Sequence, residues 1–335
     1  MVAPAETILE IRDLRTHFEL EDGVVRAVDG VDLDIRRGEV VAVVGESGCG
    51  KSVMARSVLR LVDRPGRIVG GEVRVRTDTG WADVLTADGR TVRSIRGARV
   101  AMVFQEPMTS MSPMHTLGDQ IAEAILLHEP VTKAEARART VELLGRVGIP
   151  APERRAGEYP FQMSGGMLQR AMIAMALSCG PELLIADEPT TALDVTTQAQ
   201  ILDLLRSLQR DTGMALMLIT HDLGVAAQLA DRVAVMYLGA VVEHGDLADV
   251  FRRPRHPYTK ALLRSVPRLG ARPRERLRPV RGMVPPPYRR PDGCPFHPRC
   301  EEFMAGRCDV TVPAPVTGPE AGRAVRCLLY EETRA

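Results

Sequence analysis

The 335-residue chain has no run of 18 apolar residues, so nothing in it is long enough to span a bilayer as a helix. Its richest apolar stretch, Ala171–Leu177, is far too short. The first residues, MVAPAETILEIRDLRTHFEL, are polar and lack the hydrophobic core of a secretory signal, so a cytosolic chain is expected. An excess of one charge is also missing. Lys plus Arg number 44 against 43 Asp plus Glu, for a net charge of +1. Without a domain-wide basic surplus, nucleic acid is not expected as the main partner. Lysine is scarce, occurring only at Lys51, Lys133 and Lys260. Arg supplies the remaining positive charge, which reads as a bias of composition and makes Lys51 conspicuous. No internal repeat is present. A cytosolic setting disfavours disulfides, so the six cysteines need another explanation.

What is present, 45% hydrophobic and 26% charged residues, is ordinary for a globular protein. The length allows one large core with a smaller appended unit. The first ~60 residues read as short strands and turns, ending in VVAVV, a β-branched run of the kind buried on both faces of a sheet. A glycine-rich turn and the helical pattern SVMARSVLRLV follow. Helical spacing dominates from about Pro107 to Pro160, and Thr132 precedes Glu135 at capping-box distance. From Leu183 strands and helices alternate: LLIAD, AQILDLLRSLQRD, ALMLIT, GVAAQLAD and VAVMYLG. This predicts an α/β sheet with a helical insertion at about 107–165. Arg252–Arg290 is rich in Arg and Pro, with Glu275 its single acid, and leads to a cysteine-bearing tail of little periodicity. The division expected is a domain over 1–250 and an extension over 251–335.

Two phosphate-facing devices stand out. GESGCGKS, Gly45–Ser52, fits G-x-x-x-x-G-K-[ST] in full, between a buried strand and a helix. Gly45, Gly48 and Gly50 let the backbone turn its N–H groups inward. Lys51 supplies a point charge for the β- and γ-phosphates, and the Ser52 hydroxyl suits Mg²⁺. Glu46, Ser47, Cys49 and Val53 complete the candidate ATP-binding set, Cys49 at a variable position. The second device lies in Met163–Asp194. There SGG (Ser164, Gly165, Gly166) opens a helix whose free N–H groups face an anion. Some 20 residues on, the apolar strand LLIADE ends in two acids. Asp187 is placed to hold Mg²⁺ through water, and Glu188 to polarise an attacking water. Gln105 and His221 each follow an apolar run and are weaker signals. Two such devices imply that two nucleotide-binding faces meet before chemistry.

The ordered set of phosphate loop, Gln105, MSGGMLQR, LLIADE, ALD (192–194) and His221 resembles the ATP-binding subunits of ABC transporters, from about Ile8 to the end of the chain. That resemblance implies an ABC-type nucleotide-binding domain: a P-loop core sheet, an antiparallel β subdomain and a helical subdomain, with a small irregular Cys-containing C-terminal domain. It also implies roles. Phe18 stacks on adenine. Ser164, Gly165 and Gly166 touch the γ-phosphate bound to a partner cassette, and Asp194 signals across the pair. Glu188 is the general base, His221 the γ-phosphate sensor, and Gln105 a link from nucleotide and Mg²⁺ to the membrane subunit. Met163 and Met167 depart from the commonest signature. Met for Leu keeps apolar volume, and Met167 leaves the N–H array intact, so a competent site is expected.

Within that family, PRHPYTKALLRSVP (Pro254–Pro267) followed by GCPFHPRC resembles the dipeptide and oligopeptide importers. The expected partners are a homologous second cassette, two transmembrane permeases and an extracytoplasmic peptide-binding protein, with this chain peripheral on the cytoplasmic membrane face. An importer of nickel or another non-peptide solute is the alternative cargo. Cys294, Cys300, Cys308 and Cys327 are spaced C-x5-C-x7-C-x18-C, which is wrong for a tight zinc knuckle. Iron–sulfur clusters also take four Cys, and the peptide-importer resemblance implies a [4Fe–4S] centre, with zinc or free thiols as alternatives. Cys179 is expected to be a small buried hydrophobe. The Arg-rich linker is read as a solvated connector.

Overall fold

The computed structural model describes residues 6–191, 193–266, 279–317 and 322–334. Ala192 of the ALD motif and residues 267–278 of the Arg/Pro-rich stretch lie outside them. Along the chain come strands β1 (Thr7–Leu20), β2 (Gly23–Arg36) and β3 (Val40–Val44), helix α1 (Lys51–Val58), β4 (Gly66–Thr77), β5 (Gly80–Asp83), α2 (Gly89–Ile95) and β6 (Val100–Val103). A helical block follows: α3 (Pro107–Ser110), α4 (Leu117–His128), α5 (Lys133–Arg146), α6 (Pro152–Ala156) and α7 (Gly165–Ala176). Alternation then resumes with β7 (Leu183–Asp187), α8 (Val195–Thr212), β8 (Ala215–Thr220), α9 (Leu223–Leu229), β9 (Arg232–Tyr237) and β10 (Ala240–Asp246). The extension contributes α10 (Leu247–Arg252), α11 (Pro257–Ser265), β11 (Val316–Thr317) and β12 (Ala324–Val325).

The chain divides into two compact units. The first comprises Met1–Leu9, Asp34–Val40 and Arg74–Ile219. Its strands β6, β7 and β8 are parallel, from Val100 opposite Leu183 to Asp187 opposite Ile219. Every residue of β7 and β8 is buried, which explains their unbroken apolar sequences. Helix α7 packs on β6 and on α3, α4 and α5. Helix α5 begins at the expected capping box, with Glu135 accepting the Thr132 N–H at 2.7 Å while the Thr132 hydroxyl oxygen accepts the Glu135 N–H at 3.2 Å.

The second unit comprises Glu10–Leu33, Val41–Val73 and Thr220–Ala335. In it β1 lies between β2 and β4. β3 pairs in parallel with β9, and β9 turns into antiparallel β10 through Leu238 and Gly239, both left-handed with φ of 40° and 81°. That pair of positive angles suits the twist of a two-residue hairpin. The helical pattern expected to run on from α1 stops at Val58. Arg60 takes φ 52° and the Leu61 N–H turns back to the Arg56 carbonyl at 2.8 Å, a left-handed helix cap made without glycine.

The extension is built into this unit. β12 adds antiparallel to β10, Glu243 opposite Val325, and β11 adds to β12. Tyr258 of α11 and Phe296 share a core with Ala42 and Val44 of β3 and with Val233, Val235 and Tyr237 of β9. A stretch without periodicity thus carries its own strands and aromatic anchors.

Candidate nucleotide site

The phosphate loop is shaped by contacts that admit no side chain at two glycines. A Cβ on Gly45 would lie 2.2 Å from the Met236 carbonyl oxygen, and one on Gly50, at φ 102°, would lie 2.0 Å from that of Ala27. β2 and β9 therefore press directly on the loop, and only glycine fits. Ser47 and Gly48 form its exposed crest, while Cys49 is buried and Ser52 and Val53 are half-buried at the start of α1. Burial pushes the Cys49 thiol up, so it remains protonated and packs as a small hydrophobe. Lys51 is 4% exposed, and its ammonium donates to the carbonyls of Gly45 at 2.9 Å and Glu46 at 3.1 Å. The charge is thus held at the mouth of a ring of backbone groups beside a helix N-terminus, an arrangement that receives a polyphosphate.

Two side chains from the extension grip the same loop. The Tyr258 hydroxyl accepts the Glu46 N–H at 3.0 Å. The Arg299 guanidinium meets both Glu46 carboxylate oxygens, Nη1 at 2.7 Å and Nη2 at 2.9 Å. Sequence reasoning found neither residue. Phe18, at the end of β1, packs its ring on Gly66, where a Cβ would lie 2.6 Å from Cε1.

The acids lie in the first unit. Asp187 ends β7 at 1% exposure, and Glu188 at 8% follows it in the left-handed region at φ 47°. Strain at a non-glycine residue of this kind marks a side chain aimed by its surroundings. The Glu188 N–H is tied to the Ile219 carbonyl at 2.9 Å. Its Oε2 accepts from Gln105 Nε2 at 3.2 Å and from the Thr191 hydroxyl at 2.8 Å. Gln105 and Glu188, singled out separately in the sequence, therefore touch. Thr191 was missed, and its only signal is its place in EPTT directly after the acid.

Ser164 caps α7 by accepting the Met167 N–H at 3.4 Å, and Ser164 and Gly165 are exposed. They open a 12-residue helix whose first turn has N–H groups without intrahelical partners. A Cβ on Gly166 would come 2.8 Å from Thr197 Cγ2 in the first turn of α8. Asp194 caps α8, accepting the Thr197 N–H at 3.0 Å and its hydroxyl at 2.7 Å, and these bonds hold its carboxyl below the usual range. His221, in the second unit, is exposed just beyond β8, and Asp222 beside it caps α9.

The tail cysteines are all free thiols in the second unit. The Cys294 N–H donates to the Cys308 carbonyl at 2.8 Å, joining two of them. Burial raises the thiols of Cys294, Cys300 and Cys327, Cys300 to about 11 and Cys327 to about 12. The His297 N–H donates to the Cys294 carbonyl at 3.0 Å. The structure does not bring the four together as the expected ligand set: among the described residues no group of three or more His, Cys, Asp or Glu could hold a metal ion. Cys179 departs from expectation in being half-buried, its thiol donating to the Ala124 carbonyl at 3.5 Å.

Comparison with known proteins bears on the same residues. The ABC transporter family model matches residues 28–191, and the model for the oligopeptide/dipeptide transporter C-terminal region matches 242–308. The oligopeptide transport ATP-binding protein of Bacillus subtilis is 47% identical over 330 residues, covering 98% of both chains. The dipeptide transport ATP-binding protein of Haemophilus influenzae is 50% identical over 293 residues, 88% of this chain and 87% of the relative. Among solved structures, a dimeric ATP-binding cassette in a post-hydrolysis state with ADP and Pi matches with a TM-score of 0.63 at 28% identity. It covers 72% of this chain and 99% of its own.

Proposed function

The chain belongs to the ABC transporter ATP-binding family, in the branch bearing the oligopeptide/dipeptide transporter C-terminal region, and from that premise we propose how its residues power transport. It is an ATP-hydrolysing subunit of a peptide importer. The observation that carries the mechanism is the Glu188 carboxylate, buried, strained in backbone and oriented by Gln105 and Thr191.

In this reading Gly45–Val53 wraps the triphosphate, Lys51 neutralises the β- and γ-phosphates, and Phe18 stacks on the adenine. Mg²⁺ would be held by Ser52, Gln105 and Asp187, oxygen donors of the kind it prefers, and supplies charge neutralisation when bound. Glu188 takes the proton of the water that attacks the γ-phosphorus in line, and His221 senses the γ-phosphate. Ser164, Gly165 and Gly166 serve the ATP held by a second, homologous cassette, and Asp194 relays between the two. That Ser164 and Gly165 are exposed at the start of the helix supports this division of labour. In this reading residues 1–250 form the cassette and 251–335 an extension of distinct role, built into the unit that carries the phosphate loop.

No helix among the described residues is long and apolar enough to cross a membrane. In this reading the transport path belongs to other chains. These are two permeases, fed by an extracytoplasmic peptide-binding protein, with this chain on the cytoplasmic face. The peptide-importer resemblance alone supports Cys294, Cys300, Cys308 and Cys327 as the ligand set for a [4Fe–4S] centre. Anaerobically purified protein should contain about four irons per chain; zinc without iron would overturn that assignment. Function is tested in proteoliposomes holding the complete transporter. Lys51→Ala should abolish both ATP hydrolysis and peptide accumulation. Hydrolysis by the wild-type complex that drives uptake of a metal ion but of no peptide would refute the cargo.

A further inference from the structure

The extension reaches the phosphate loop through side chains that nothing in the family signature explains. Arg299 sits in the short turn His297–Arg299 immediately before Cys300, with its side chain 3% exposed. Its guanidinium is used on every edge. Nε donates to the Arg281 carbonyl at 2.7 Å, Nη1 and Nη2 meet the two Glu46 oxygens, and Nη1 also lies 3.4 Å from the Tyr237 hydroxyl. It lies 5.8 Å from the Tyr237 ring centroid and 5.9 Å from that of Phe296. A planar fork fixed this way sets both the position and the rotation of the carboxylate it holds.

Glu46 is the second residue of the loop, and it is fixed at its backbone too. Its N–H donates to Tyr258, whose ring is fully buried and packs on Tyr237 and Phe296 at centroid distances of 4.7 and 5.3 Å. The Glu46 carbonyl in turn accepts from Lys51 Nζ at 3.1 Å. A path of direct bonds thus runs from the cysteine-bearing turn through Arg299 and Glu46 to the phosphate-binding ammonium. Phosphate loops need no acid at this position for chemistry, and Glu46 offers a negative charge where a polyanion is to bind. Arg299 cancels that charge and fixes both oxygens of the carboxylate.

We propose that Arg299 and Tyr258 are positioning residues for ATP, through which the C-terminal extension sets the shape and charge of the phosphate loop. This rests on the reading of Gly45–Ser52 as the ATP site. Both residues act through Glu46 and neither touches the reacting atoms, so affinity should suffer while the chemical step survives.

The test is titration of Mg-ATP into the full chain by calorimetry, with steady-state kinetics in the assembled transporter. Arg299→Gln should weaken Mg-ATP binding about tenfold, the effect of losing a charge-assisted pair, with KM rising in parallel and kcat within about twofold. Arg299→Lys, which keeps the charge but not the fork, should recover part of that loss. Combining Arg299→Gln with Glu46→Gln should cost no more than Arg299→Gln alone, because the two act as one pair. Tyr258→Phe preserves core volume and removes only the hydroxyl, so it remains informative if Arg299→Gln does not fold; about threefold weaker binding is expected. Wild-type protein that binds Mg-ATP while Arg299→Gln and Tyr258→Phe bind it equally well would overturn the proposal. Wild-type protein that does not bind Mg-ATP would instead overturn the reading of the loop.

Discussion

Replacing Gly50 by Ala separates the two reasons the phosphate loop requires glycine. Gly50 adopts φ 102°, and an added Cβ would lie 2.0 Å from the Ala27 carbonyl oxygen and 3.1 Å from Met236 Cε. The left-handed conformation costs a residue with a Cβ about 1–2 kcal/mol. Restoring a normal contact requires β2 and the loop to part by about 1 Å, and overpacking of that order costs about 1–3 kcal/mol. Gly48 provides the control two residues away. It has φ 77° with nothing within 4 Å of its Cβ position, so Gly48→Ala carries the conformational cost alone. Urea unfolding of the full chain should therefore show Gly50→Ala destabilised by about 2–5 kcal/mol and Gly48→Ala by about 1–2 kcal/mol. Equal losses for the two, within about 0.5 kcal/mol, would refute the close approach of β2 as the cause.

Two further outcomes follow from the same geometry. Thr191→Val deletes the hydroxyl that donates to Glu188 Oε2 at 2.8 Å. Steady-state kinetics should show kcat reduced about tenfold with KM for ATP within about twofold; a change in KM alone would contradict an orienting role. His256 is fully buried, accepts the Tyr258 N–H on Nδ1 at 3.1 Å, and is pulled down to about 3 by burial. The folded state keeps it neutral while the unfolded chain protonates it near pH 6.5. Its contribution is therefore complete above about pH 6.5 and is lost as pH falls toward 3, at up to about 1.4 kcal/mol per pH unit. His256→Asn, which keeps an acceptor at the helix cap, should remove that slope in urea titrations between pH 4 and 7; parallel slopes would contradict it.

The parts of the site legible in the sequence are those whose chemistry is local. Gly45–Ser52 and Ser164–Gly166 are read from spacing because one turn and one helix start place every group they need. LLIAD and ALMLIT are read from burial on both faces of a parallel sheet. Contacts between distant segments leave no such trace. Arg299 lies 253 residues from Glu46, and Tyr258 lies 212 residues from it. Within the tail, residues 279–317 are mostly turns, so no period of 2 or 3.6 marks a buried face. The helical spacing past Val58 was misleading for a related reason, since Arg60 ends α1 in a conformation usually left to glycine. Cys179 looked like core because cysteine is commonly buried, yet it is only half-buried, its thiol donating to the Ala124 carbonyl.

In the proposed mechanism Glu188 is the base for ATP hydrolysis. Glu188→Gln keeps the size of the side chain and an oxygen for the Thr191 hydroxyl, and removes only the basicity. The decisive measurement is ATP turnover of that variant in the assembled transporter, alongside Mg-ATP binding. Turnover should fall by about 10²–10⁴-fold while binding is retained. Turnover within about twofold of wild type would contradict the claim.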